Sequence, residues 1–233
     1  MKKILCGIFC ASAGAALAVQ STVTTIDVIE VRSDLTNVVI AIPGLDLAGG
    51  NLAISNLVKT MNLDVGDKLI AFNNDNYECW TLSASKKWES TSGYLQDDSG
   101  RRVDLTSSPA SDTRMLKGQG IWLSRSNPSA ARPVYIYGAH ANSTATSVTG
   151  IKPVLVGNPT LAAASPSISG CAVNDEVAFP EFGKKMLTRY KYREDTHQWF
   201  SGCVYTNSLP AFDAGTGFWY IPASSANVTI SWE

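Results

Sequence analysis

Short runs of β-branched and apolar residues, broken at close intervals by Gly, Pro, Asn and Asp, set the pattern of this chain. Thr22 to Arg32 interleaves Val, Thr and Ile with polar residues and predicts a strand. Val38-Val39-Ile40-Ala41-Ile42, stopped by Pro43-Gly44, is continuous apolar sequence and predicts a strand buried on both faces. Ala53, Leu57, Val58 and Met61 recur at helical spacing, which predicts one short helix near 53–61. Lys68 to Phe72, the turn Asn73-Asn74-Asp75-Asn76 and Tyr77 to Leu82 predict a hairpin leading toward Trp88. Glu89 to Lys117 is polar and reads as a long loop or loose hairpin, and the small, Ser/Thr-rich stretch 139–150 reads as a linker.

The same order of anchors then returns. Val154-Leu155-Val156-Gly157-Asn158-Pro159 answers Val39 to Pro43, Asn174 to Phe179 answers Gly66 to Phe72, and Trp199 answers Trp88. Gly215-Thr216-Gly217-Phe218-Trp219 answers Gly118-Gln119-Gly120-Ile121-Trp122, and Val228 to Trp232 answers Val134 to Tyr137. Five anchors in one order predict an all-β fold of two tandem related repeats, sandwich- or barrel-like, packed pseudo-symmetrically. The divisions expected are a leader at 1–18, an N-terminal strand and first repeat at 19–138, the linker at 139–150 and a second repeat at 151–233. Gly118, Gly120, Gly215 and Gly217 turn the chain into a central strand, with Trp122, Trp219, Trp88 and Trp199 as apolar anchors.

Composition adds a destination. Met1-Lys2-Lys3, an uncharged run from Ile4 to Leu17 and Ala16-Leu17-Ala18 before Val19 form a secretory signal peptide, too short for a membrane span. The expectation is an exported chain in the periplasm, at the cell surface or outside the cell, with no transmembrane segment once the leader is removed. Without the two leader lysines, 17 Lys and Arg face 20 Asp and Glu, a net charge of about −3, which does not attract nucleic acid. Of the cysteines beyond the leader, Cys171 and Cys203 fall in the second copy and are the natural disulfide pair in an oxidising compartment, with two free thiols as the alternative.

An early Val-Ile-Ala-Ile-Pro strand, a Gly-Asp-Lys-Leu strand, a Tyr/Trp hairpin and Gly-Gln-Gly-Ile-Trp resemble a large, functionally uncharacterised group of secreted bacterial tandem β-repeat proteins. The resemblance implies architecture and brings no catalytic residue or ligand with it.

Candidate chemistry is sparse. The Gly-x-Gly pairs lack the third glycine and following helix of a dinucleotide loop, and no Cys or His spacing fits zinc, so no cofactor or metal is expected. Asn73-Asn74-Asp75-Asn76 and Asp97-Asp98-Ser99-Gly100 read as turns, and Asp67 and Asp175, at equivalent places, as turn caps before catalytic acids. His197 follows Glu194-Asp195-Thr196 at a turn tip, a poor setting for a nucleophile's base. The expected role is a non-enzymatic structural or interaction protein whose partners are envelope components, another protein or a glycan. The alternative is a carbohydrate-binding module with Trp80, Tyr94, Tyr190 and Tyr192 facing the ligand. Arg101, Arg102 and Arg114, in the stretch the second copy lacks, are the expected partner contacts.

Overall fold

The computed structural model describes residues 27–31, 37–41, 51–57, 63–73, 76–96, 102–110, 114–116, 119–127, 134–138, 144–160, 162–180, 187–193 and 195–232. In chain order these form β1 (Asp27–Val31), β2 (Asn37–Ala41), β3 (Asn51–Ala53), α1 (Ile54–Leu57), β4 (Lys68–Asn73), β5 (Asn76–Leu82), β6 (Trp88–Ser90), β7 (Gly93–Gln96), β8 (Arg102–Thr106), β9 (Arg114–Leu116), β10 (Gly120–Ser124) and β11 (Val134–Gly138). There follow β12 (Thr144–Gly150), β13 (Val154–Gly157), β14 (Ser167–Ser169), β15 (Glu176–Phe179), β16 (Thr188–Arg193), β17 (Gln198–Ser201), β18 (Val204–Thr206), β19 (Gly217–Ile221) and β20 (Ala226–Trp232). The protein is nearly all β, built from several open sheets with no closed barrel among the described residues.

Two large sheets carry the fold. One runs β2-β10-β4-β5-β8-β7 with β6 also on β5, the other β13-β19-β15-β16-β17-β18. Their first four strands follow the same order. Smaller sheets, β1-β11 and β12-β20-β14, accompany them, and β3 pairs with β9. Val134 of β11 is buried in one core with Ile40, Leu69, Trp80, Leu82 and Ile121. Val228, Ile230 and Trp232 of β20 are buried in a second core with Val156, Val177 and Phe218. Each large sheet thus shares its core with the small one beside it, a sandwich arrangement in which alternate residues point inward.

The apolar run of β2 is buried at Val38, Val39, Ile40 and Ala41 because its second face meets the other large sheet. Strands β2 and β10 approach β13 and β19 there through isolated antiparallel bridges, Ile40 with Thr216 and Gln119 with Val156. By register Ile40 corresponds to Val156 and Gln119 to Thr216, so the two bridges are mirror counterparts about one local axis. The Trp122 and Trp219 rings meet at 6.0 Å, half-buried at the contact between the sheets, while Trp88 and Trp199 are buried in the two cores.

One expectation changes. Residues 144–150 are a strand, β12, paired with β20 over Thr144 to Gly150, so the expected linker ends by 143 and the second unit starts earlier than 151. Small Ser and Thr side chains hid it: β12 is an outer strand whose Val148 reaches the core. It stands to β20 as β1 stands to β11. Of the short helix expected near 53–61, Ile54–Leu57 is helical and Ala53 is in β3, while 58–61 lie outside the described residues. The stretch Glu89 to Lys117, expected as a long loop or loose hairpin, contains β7, β8 and β9; β7 and β8 pair antiparallel, as the hairpin reading has it, and β8 also runs parallel to β5.

Candidate functional site

The two fully buried carboxylates, Asp67 and Asp175, are the most demanding polar groups, since an ionised group out of water must be fully bonded. Asp67 Oδ2 accepts the N–H of Asp64 at 2.9 Å, and its Oδ1 accepts the N–H and hydroxyl of Ser126 at 2.7 and 2.9 Å. Arg125 Nε lies 3.1 Å from Asp67 Oδ2, both side chains being buried. Asp175 repeats the backbone part: Ala172 N–H donates to Oδ2 at 2.8 Å and Ala223 N–H to Oδ1 at 2.8 Å. In place of an arginine, Tyr220 donates its hydroxyl to Oδ2. The residues just before, Gly66 and Asn174, both have positive φ, 90° and 70°, the conformation that glycine and asparagine tolerate best. Both aspartates tie a turn to the end of a neighbouring strand, and every carboxylate oxygen is committed.

Burial pushes Tyr220 far above the usual phenol range, and the charge and hydrogen bond of Asp175 add to it. Cys171, half-buried next to the same carboxylate, is pushed up to about 11, first by burial and then by Asp175. Burial also raises Cys79. These thiols stay protonated at neutral pH, unlike an activated nucleophile.

Cys171 and Cys203 are both free, which corrects the expected pairing. Cys203 lies in the turn from β17 to β18, at the far end of β17 from β16, whereas the Cys171 turn joins the opposite end, where Asn174 N–H donates to Tyr192 O. Two strand spacings of about 4.8 Å plus the strand length exceed the roughly 7 Å that a disulfide spans.

The expected aromatic surface is not assembled. Trp80 is fully buried, because β5 lies inside its sheet and presents Trp80 and Leu82 to the core, and its indole N–H donates to Ser108 O at 2.8 Å. Tyr94 is exposed on β7 with the Arg102 guanidinium 4.5 Å over its ring. Arg102 Nε also donates to Asp104 Oδ1 at 2.6 Å. Arg101 and Gly118 lie outside the described residues, as does the side chain of Arg114, whose backbone pairs with Ala53. Tyr190 and Tyr192 are half-buried in the other sheet, Tyr190 stacked on Phe179 at 6.1 Å and Tyr192 edge-on to Trp199 at 5.3 Å. His197 is exposed in a turn with φ 51°, and His140 lies outside the described residues. Among the described residues no three His, Cys, Asp or Glu side chains gather as metal ligands, and no helix is long and apolar enough to cross a membrane.

One concavity was not foreseen. A hollow of about 480 Å³ opens beside Tyr190, Ser201 and Val204, walled by Thr206, Ser208 and Pro210 over a buried Leu209. Its signal in the sequence is faint, since serines and a proline there read as a turn. The described residues that line it are neutral. Compared with family models, with curated proteins and with solved structures, the chain matches none.

Proposed function

We propose that this chain is an exported, non-enzymatic protein, a duplicated β unit acting as a structural or interaction component at the cell envelope or outside the cell. The observation that carries this reading is a division of labour. Much of what the two large sheets have in common is buried and structurally committed, as with Asp67 and Asp175, whereas their outermost strands differ and present exposed side chains. The first sheet adds β7 and β8 with exposed Tyr94, and the second ends on β18 with exposed Val204 and Tyr205. A shared buried frame with divergent exposed edges is the economy of a scaffold, in which recognition sits where packing does not dictate the residue. The basic start, apolar run and small-residue exit before Val19 support export, and the resemblance to secreted tandem β-repeat proteins supports duplication.

Cell fractionation with N-terminal sequencing tests the first half: a mature chain starting at Val19 outside the cytoplasm is expected, and a cytoplasmic chain retaining Met1 would overturn it. For the second half, the purified protein is offered ester, glycoside and peptide substrates. No turnover is expected; turnover abolished by His197→Ala would replace this reading with a hydrolase.

A further inference from the structure

The hollow beside Tyr190 has a counterpart in the first sheet, and the comparison shows what it lacks. Leu82 N–H donates to Asp67 O and Tyr192 N–H to Asp175 O, so Leu82 corresponds to Tyr192 and Trp80, two residues earlier, to Tyr190. Trp80 pairs with Ser90, and Ser201 falls level with Tyr190 when the pairing of β16 with β17 is continued by one residue. At the Trp80 and Ser90 corner the chain closes on itself. Ser90 Oγ accepts the N–H of Ser108 at 3.1 Å and lies 2.9 Å from Ser107 Oγ, while the Trp80 indole N–H donates to Ser108 O. A passing stretch of backbone and hydroxyls fills the place.

At the Tyr190 and Ser201 corner no such closure is made among the described residues, and the hollow remains. Ser201 is paired with Val204, so a small hydroxyl residue stands between a tyrosine and a valine in one cross-strand row. Thr206 is occupied within the wall, its hydroxyl donating to Ser208 O at 2.8 Å. Phe179 fixes the plane of the Tyr190 ring, and the rest of that ring lines the space. Among the described residues the lining combines an aromatic ring, aliphatic Val204 and Pro210, and serine hydroxyls, and holds no charged side chain. Its volume is within the usual range for small-ligand sites, about 300–1,000 Å³.

We infer that this hollow binds a neutral sugar, one pyranose unit of a glycan, with its C–H face on Tyr190 and its hydroxyls toward Ser201 and Ser208. The chemistry follows from the lining. A sugar offers apolar C–H groups to a ring and hydroxyls that serve as both donors and acceptors, which suits serines, whereas a charged ligand would be desolvated with no counter-charge. The inference rests on the interaction reading above and gives it a ligand class.

The test is an amide NMR titration of the full chain with the methyl glycosides of glucose, galactose, mannose and N-acetylglucosamine, and with a Ser/Thr-rich peptide. Saturable shifts at Tyr190, Ser201, Val204, Thr206 and Ser208 are expected with at least one sugar, in the millimolar range usual for a single shallow subsite. Ser201→Val, which fills the hollow with apolar volume, should weaken binding about tenfold or more with the spectrum otherwise unchanged, and Tyr190→Ala should do the same. If Tyr190→Ala fails to fold, Ser201→Val decides. No shift with any sugar, shifts that survive Ser201→Val, or binding by the peptide alone would each overturn the inference while leaving the scaffold reading intact. Hydrolysis of a bound glycoside would instead end the non-enzymatic reading and leave the site standing.

Discussion

Gly157 and Ala41 meet so closely that a Cβ on the glycine would lie 2.3 Å from the alanine Cα. Neither backbone can retreat without breaking pairing, because Gly157 is held to Gly217 and Ala41 to Gly120. Gly157→Ala should therefore destabilise the protein by about 1–3 kcal/mol, the usual cost of overpacking, and Gly157→Val by more. Urea unfolding checks this against Ser224→Ala on an exposed turn; equal stability of the two variants would mean that the sheets do not meet here.

The two buried aspartates should respond differently to the same change. Asp67→Asn removes the fully buried carboxylate 3.1 Å from Arg125 Nε and leaves the buried guanidinium only the part-exposed Asp64 carboxylate, 3.4 Å from its Nη2, as a charged neighbour, at a cost of about 3 kcal/mol. Asp175→Asn keeps an acceptor for the Ala172 or Ala223 amide and faces a neutral tyrosine hydroxyl, so a cost of about 1–3 kcal/mol is expected. Denaturant midpoints decide, and a larger loss at Asp175 would contradict the assignment.

Stability should fall in alkali. The Cys171 thiol has an ordinary pKa of 9.0 and about 11 in the fold, so below pH 9 both states keep the proton. Between 9 and 11 the unfolded chain loses it first and binds fewer protons than the native state, which lowers the unfolding free energy as pH rises. Tyr220 is shifted the same way from its ordinary value of 10.0 and prolongs the decline. Melting temperature measured against pH should drop across this window, with a shallower slope between pH 9 and 11 in Cys171→Ala; an unchanged slope would show that Cys171 is not the titrating group.

Thiol labelling separates the three cysteines among the described residues. In native protein near pH 8, Cys203, exposed in its turn, should react quickly with a disulfide reagent, and Cys79 and Cys171 only as the fold opens. Mass spectrometry of the unreduced protein should find every one of them free. A Cys171–Cys203 bridge there would require the β15 and β17 ends to be arranged otherwise.

How much of this could be read from the residues varies with the kind of signal. The β2 run, the β4–β5 hairpin and the strands after the Gly-x-Gly pairs were legible, because their apolar periodicity records burial directly. Strand β12 was not, since Thr, Ser and Gly dominate it and pairing with β20 is a long-range fact. Trp80 and Tyr94 look alike as aromatic residues near a hairpin; which one faces the core depends on β5 being flanked on both sides, at Trp80 by Leu69 of β4 and Ser90 of β6. The hollow depends on two small absences, a tyrosine for Trp80 and an unbonded corner at Ser201. Aligning the two copies residue by residue is the one operation on the sequence that would have pointed to it.

The pairing of β1 with β11 and of β12 with β20 brings each unit's entry and exit side by side. Such a unit begins and ends at one place on its surface, so further copies can be strung on, or one removed, without threading the chain through what is already folded. Length can then be added at the cost of a few connecting residues, and each added unit brings edges of its own.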